Sequence, residues 1–475
     1  MARKAVRDPV RLLRPVERIE GSRSSDPVPG WTHRAEGPTV RPAIRARVDA
    51  GVLRGATFEM TSATRLTAAG FVATAIAFGP ARMGFGLFLP AFREEFALSI
   101  ETAGLIASAG FLAFLLALLA SAWVGRRYGE RASVVTGAST GVAGFAAVAM
   151  AETSGVLAVG IALAGTSAGF CWTPFNDAAE RVVRHEARAT ALSVVSTGTS
   201  FGVIAAAGLA FAVAEGALHW RGAWGGFALG GLALVAIAWV GLPSPRRADP
   251  GAGGKGPRRA RPSEPERPLG PEAAGVLTQR AALPLYGAAF CFGMTNAIFL
   301  SFAADRVVAA GGLTGWPDEA ASTVIFLAYG TFGVLGLATG RIEARIGLLV
   351  LLVAIFSAGA LSLVVVALAP TSWAALVAAS GLHGVAIMMV SAVFSFWSLR
   401  LFPGRATPGF TAALLCMASG SVLGPALAGL LSAAQGPTTM FLAAAVLPLL
   451  TALWFGAGLL RRSPPRGSTP WSRGR

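Results

Sequence analysis

The sequence predicts an all-α integral membrane protein of twelve transmembrane helices in two six-helix pseudo-repeats. Three observations carry this. The 475 residues are 54% hydrophobic and only 13% charged, with a mean hydropathy of +0.61, whereas ordinary soluble domains carry about 25% charged residues. Runs of roughly twenty apolar residues recur along the chain, each long enough to cross a hydrocarbon core of about 30 Å. The second half also echoes the first. Residues 78–85 (FGPARMGF) return as 292–299 (FGMTNAIF), Arg127-Tyr128-Gly129 as Arg345-Ile346-Gly347, and Arg188-Ala189-Thr190 as Arg405-Ala406-Thr407, at offsets of 214, 218 and 217 residues. Each echo is short, but order and spacing are kept, and duplicated helical units are common in membrane transporters.

The elements follow in chain order. Residues 1–63 are rich in Pro, Arg, Ser and Asp, bury too little apolar surface to offset ordering entropy, and are expected to be a disordered basic extension. Met60 stands just before Thr64-Arg65-Leu66, so Met60 is read as the true start, with a lipid-touching basic arm as the alternative. Helices are expected at 68–90, 101–123, 132–151, 154–176, 190–214 and 223–243, making a first half over 64–243. Residues 244–280 read as a Pro/Gly/Arg-rich cytosolic linker. A second half over 281–462 holds helices at 281–303, 319–339, 348–369, 372–395, 408–432 and 438–460, followed by a basic tail at 463–475.

Orientation follows from the basic residues. With the N-terminus in the cytosol, 36 of the 40 Lys and Arg fall on that side. Only Arg93, Arg221 and Arg306 lie on the other, and Arg82 lies within a helix. Both termini are therefore expected in the cytosol of a cell, with the bacterial inner membrane as the expected location. The net charge of +16 reflects this rule, and no nucleic-acid partner is expected. Cys171, Cys291 and Cys416 all fall inside helices without paired spacing and read as small buried hydrophobes. No metal, cofactor or hydrolase motif stands on a water-facing segment, so no enzyme is expected.

Six plus six helices with a polar central linker resemble the major facilitator superfamily over roughly residues 64–462. The most specific local match lies between helices two and three. The family pattern there runs Gly, any, Leu, any, Asp, Arg, any, Gly, Arg, Arg. Residues 122–131 (AWVGRRYGER) keep Arg127 and Gly129 and replace the acid with Arg126. Residues 340–347 (GRIEARIG) keep Arg345 and Gly347, with Glu343 one residue early. In the family the acid helps lock the cytosolic gate, and Asp177 beside Arg181 is the candidate for the missing charge. Family drug antiporters carry an Arg four residues before a Gly in helix four and a Gly-Pro pair in helix five. Here Ile161 precedes Gly165, helix five has Gly198 and Gly202 without Pro, and Gly424-Pro425 falls in helix eleven. The resemblance implies a secondary transporter that moves a small molecule by rocking its halves. A proton-coupled efflux antiporter is one alternative. A transport-dead membrane sensor is another, and no obligate oligomer is expected.

Polar groups inside the helices are the site candidates, since an Arg at a helix centre costs about 2.5–3.5 kcal/mol on the insertion scale. Arg82 lies 14 residues into helix one, among Gly79, Pro80, Gly84 and Gly86, where a kink is expected. It reads either as a cavity cation for an anionic substrate or as a snorkelling anchor. Asn296 is its repeat-equivalent in helix seven and is expected to face it. His383, in the middle of helix ten, titrates near pH 6.5 when unperturbed and is either a proton-coupling site or a packed ring. Thr166 and Ser167 of helix four, with Ser196, Thr197, Thr199 and Ser200 of helix five, offer hydroxyls to a ligand or to the preceding turn. Trp172, Phe175 and Asn176 are candidates for a gate, and Trp220-Arg221 and Trp316 for interface anchors on the far side.

Overall fold

The computed structural model describes residues 62–242, 279–313, 315, 320–402 and 406–460, and among these the regular structure is helical, without strands. Twelve helices are long and apolar enough to span a membrane. They are α1 (Ser62–Phe96), α2 (Ile100–Tyr128), α3 (Glu130–Ala149), α4 (Ser154–Val182), α5 (His185–Ala214), α6 (Trp220–Gly241), α7 (Leu283–Val308), α8 (Ala320–Ile346), α9 (Leu348–Leu368), α10 (Trp373–Leu401), α11 (Ala406–Gln435) and α12 (Pro437–Leu460). Every expected helix is present, in order. Lipid offers no partner for backbone N–H and C=O groups, so an apolar chain of this kind must close its hydrogen bonds within helices.

The helices outrun the apolar stretches that reveal them. The run 101–123 becomes the 29 residues of α2, about 43 Å at 1.5 Å per residue, because the chain stays helical past the hydrocarbon edge. The first helix likewise opens at Ser62, two residues before the expected boundary at 64. The expectations for residues 1–61, Met60 included, for 243–278 of the linker, for Trp316 and for the tail from 463 fall outside the described residues.

Ser99, Thr153 and Ser372 cap α2, α4 and α10 by accepting the N–H of Thr102, Val156 and Ala375. At the other end, Gly129 (φ 88°) and Gly347 (φ 80°) turn α2 into α3 and α8 into α9. These repeat-related turns lie on the face that also carries Arg126, Arg181, Arg188, Arg341 and Arg345, called the basic face below.

Small residues let helices meet closely, as expected where packing rather than hydrophobic expulsion drives association. A Cβ on Gly79 would strike the Gly202 carbonyl, setting α1 on α5. One on Gly293 would strike the Met417 carbonyl, setting α7 on α11 in the second half. Gly79 and Gly293 are 214 residues apart, so one contact recurs at the repeat distance. Gly86 faces the Leu300 carbonyl in the same way, which brings α1 against α7 across the halves.

At the opposite face one continuous apolar core joins both halves, running from Phe88 and Phe92 through Phe145 and Trp224 to Phe299, Phe302, Phe326 and Phe441. At the basic face the core divides in two. One cluster gathers Leu66, Phe114, Cys171 and Phe175, and the other gathers Phe292, Leu352, Phe394 and Trp397. The bundle is therefore sealed at one end and parted at the other. Trp220 belongs to the sealed end. It is 4% exposed and packs edge-on against Phe92 and Phe96, so it is a core residue and not the interface anchor expected from its place at a helix end.

Candidate functional site

The gap between the two separate cores is a cavity of about 640 Å3 lined by α1, α2, α4, α5, α7, α8, α10 and α11. Arg82 stands at its inner end. The approach is made by a break in α1, where the helix is interrupted at Gly79 and restarts on Pro80. Pro brings no N–H, so the first turn of the new segment loses no bond. The Arg82 guanidinium lies 4.6 Å from the Phe114 ring centre, 5.5 Å from Phe111 and 5.7 Å from Phe78, within range of cation–π attraction. No described carboxylate lies within salt-bridge distance of it. Among the described residues no other side chain lining the cavity is ionisable. Arg82 also borders a second void of about 20 Å3, set toward the sealed face with Phe85, Gly86, Ile161 and Ser301.

Asn296 lines the same cavity as Arg82, where the repeat places it, and its Oδ1 accepts the Tyr329 hydroxyl at 3.4 Å. Ser196, Thr197, Thr199 and Ser200 of α5 also line it, as does Trp172. Thr197 donates to the Ser193 carbonyl, within its own helix.

Four candidates stand elsewhere. Thr166 bonds Thr140 and the Leu163 carbonyl, each at 2.7 Å, and Ser167 is fully buried against Gly141, so both face α3. Their hydroxyls within an apolar helix marked them, but only the packing decides which face meets the cavity. His383 is 1% exposed and stacked on Phe299 at 4.1 Å between ring centres, outside the cavity lining. Phe175 is buried in the α1–α4 core, and the side chain of Asn176 lies outside the described set. Met388, Ser391, Ser395 and Phe396 of α10 line the cavity without having been singled out. Small hydroxyls and thioethers on an apolar helix carry no signal until the facing helix is known.

Charged pairs bracket the cavity. At the sealed face, Arg93 of α1 donates to both carboxylate oxygens of Asp305 of α7 at 2.8 Å. In a second contact between the halves, the Ala426 N–H of α11 donates to Ser108 of α2 at 3.0 Å, next to Pro425. Both contacts tie one half to the other. At the basic face, Glu130 pairs with Arg181 and Glu343 with Arg400, each pair within one half. Arg181 thus pairs with Glu130, one residue past Gly129; Asp177, expected to supply a charge here, is exposed. Arg127 lies over Tyr128 at 5.5 Å, and Arg345 is exposed. Among the described residues no three His, Cys, Asp or Glu side chains gather to hold a metal.

Residues 70–368, more than half of the chain, match the Major Facilitator Superfamily. The chain belongs to that superfamily. It is a multi-pass membrane protein and a secondary transporter of small molecules. Its fold is similar to that of a nucleoside transporter, NupG, with a TM-score of 0.65 at 13% identity over 84% of this chain and 99% of that one. It is also similar to a bacterial homolog of the human lysosomal transporter Spinster, solved inward-facing and unoccupied, with a TM-score of 0.63 at 15% identity over 85% and 99%. A POT family transporter in complex with a thioalcohol-conjugated peptide gives 0.62 at 13% over 85% and 96%. At these identities the likeness is one of superfamily fold. Among curated protein sequences, none matches this chain.

Proposed function

We propose that this superfamily transporter carries an anionic small molecule by rocking its two halves about a central site at Arg82. One observation carries the reading: Arg82 borders both the open cavity and the small void on the sealed side. A group at that level passes from one side to the other when the seal moves. Among the described residues Arg82 is also the sole ionisable side chain of the cavity lining, and a guanidinium away from water favours an anion. The excess of basic residues makes the basic face cytosolic, so the state described is inward-open, with both termini in the cytosol. Asn296 is assigned to the same site. Glu130–Arg181 and Glu343–Arg400, with the turns at Gly129 and Gly347, are assigned to the inner gate, and Arg93–Asp305 to the outer one.

A second reading is efflux of apolar compounds in exchange for protons, favoured by Trp172, Phe396, Phe410, Met388 and Met417 in the lining. Labelling of single cysteines from either side of the membrane tests the alternating site. Flux in proteoliposomes separates both transport readings from a sensor, which binds without moving its ligand.

A further inference from the structure

We propose that the cavity selects amphipathic organic monocarboxylates, with the carboxylate on Arg82 and an apolar body against Phe114, Trp172 and Met388. The proposal rests on Arg82 being the cavity cation and adds the class of anion. The first argument is charge. Among the described residues the lining carries one positive side chain and no second Arg, Lys or His, so it balances one negative charge. A phosphate ester, at about −1.5 to −2 near neutral pH, or a dicarboxylate would leave charge uncompensated in a space of low polarity.

The second argument is geometry. Over the Phe114 ring at 4.6 Å, the guanidinium contacts the ring through its face, and its planar fork of edge N–H donors matches the two oxygens of a carboxylate. The third is the wall. Most of its surface is apolar, with the rings of Phe114, Trp172, Phe396 and Phe410 and the thioethers of Met388 and Met417 set beside aliphatic residues and small hydroxyls, and Met adapts to irregular apolar shapes. The volume of about 640 Å3 lies within the range of about 300–1,000 Å3 for sites that enclose drug-sized ligands. Ser196, Ser200 and Ser391 line the same space, which accommodates a few polar substituents on the body. A small, fully hydroxylated acid would leave most of the apolar wall against water.

Calorimetry on the full chain in lipid nanodiscs tests this with one body in three charge states: 4-phenylbutyrate, 4-phenylbutyramide and 4-phenylbutylamine. Phenylsuccinate serves as the dianion and lactate as the small polar acid. The expected result is that 4-phenylbutyrate binds at least about tenfold tighter than the other four. Arg82→Gln should bring it down to the level of the amide. Should Arg82→Gln fail to insert, Arg82→Lys carries the comparison, keeping the preference for anions with several-fold weaker binding. Phenylsuccinate or lactate binding as well as 4-phenylbutyrate, with dependence on Arg82, overturns the class and leaves the anionic reading standing. Absence of 4-phenylbutyrate binding at millimolar concentration also overturns the class. Amide or amine binding equal to the acid, untouched by Arg82→Gln, overturns both.

Discussion

Arg93 of α1 holds both oxygens of Asp305 of α7, and the two residues stand 212 positions apart, close to the repeat distance. Opposite charges thus occupy nearly equivalent places in the two halves and meet where those halves are sealed. Asp305 is 7% exposed, while the Arg93 side chain keeps about a third of its surface in contact with solvent. Allowing for that exposure, the pair contributes about 1.5 kcal/mol, the low end for hydrogen bonds to charged groups, or roughly tenfold in the closed-to-open ratio. Asp305→Asn and Arg93→Gln should each raise labelling of a cysteine at Ser301 from the sealed side by about that factor. Exchanging the charges, Arg93→Asp with Asp305→Arg, should restore the closed state; a swap no better than the single changes would show that the pair does not latch the seal.

Gly86 should act in the same direction by sterics. A side chain there runs into the Leu300 carbonyl, so Gly86→Ala should disfavour the sealed state and also raise labelling at Ser301. Unchanged labelling would mean that α1 and α7 relax around the methyl group at no cost.

Gly129 and Gly347 offer a purely conformational test. Both have positive φ with ψ of 165° and 157°, a backbone region restricted to Gly, and holding another residue there costs about 1–3 kcal/mol. A Cβ at Gly347 would meet nothing within 4 Å, so crowding plays no part. Gly347→Ala and Gly129→Ala should lower the Tm of the purified protein, and Asn at either position should not rescue it. An unshifted Tm in both Ala variants would contradict the turn geometry.

His383 should tolerate loss of its imidazole. Neither ring nitrogen has a hydrogen-bond partner, and burying such a polar group costs about 1–3 kcal/mol by mutational measures. His383→Phe should keep the stack on Phe299 and hold or raise the Tm. The pH profile of transport, measured from about pH 5.5 to 8, should not move; a displaced profile would return His383 to the role of proton site.

The helices and their number were legible in the sequence, as was the placing of Arg82 and Asn296 along one cavity, because apolar length and repeat spacing are properties of the chain itself. Facing is not. Thr166 and Ser167 sit at suitable depth in α4, yet they turn toward α3, while Ser391 and Ser395, without distinguishing features on α10, line the cavity. Asp305 escaped notice because the apolar run ends near 303, and a charge beyond it reads as loop. The helix instead continues to Val308 and presents that acid to Arg93. Glu130 was masked by its position one residue past the motif glycine, where the family pattern has an Arg.

A single site at Arg82 that opens alternately to either side is tested most directly by two-sided labelling of two cysteines. With Cys171, Cys291 and Cys416 replaced, Ser196→Cys places a thiol in the open cavity and Ser301→Cys places one in the small void beyond Arg82. In sealed vesicles a membrane-impermeant maleimide should reach residue 196 only from the basic face and residue 301 only from the opposite face. Adding Asp305→Asn should raise the second reaction while lowering the first. Labelling of both positions from one face, or a rise at residue 301 with no fall at 196, would contradict alternating access around Arg82.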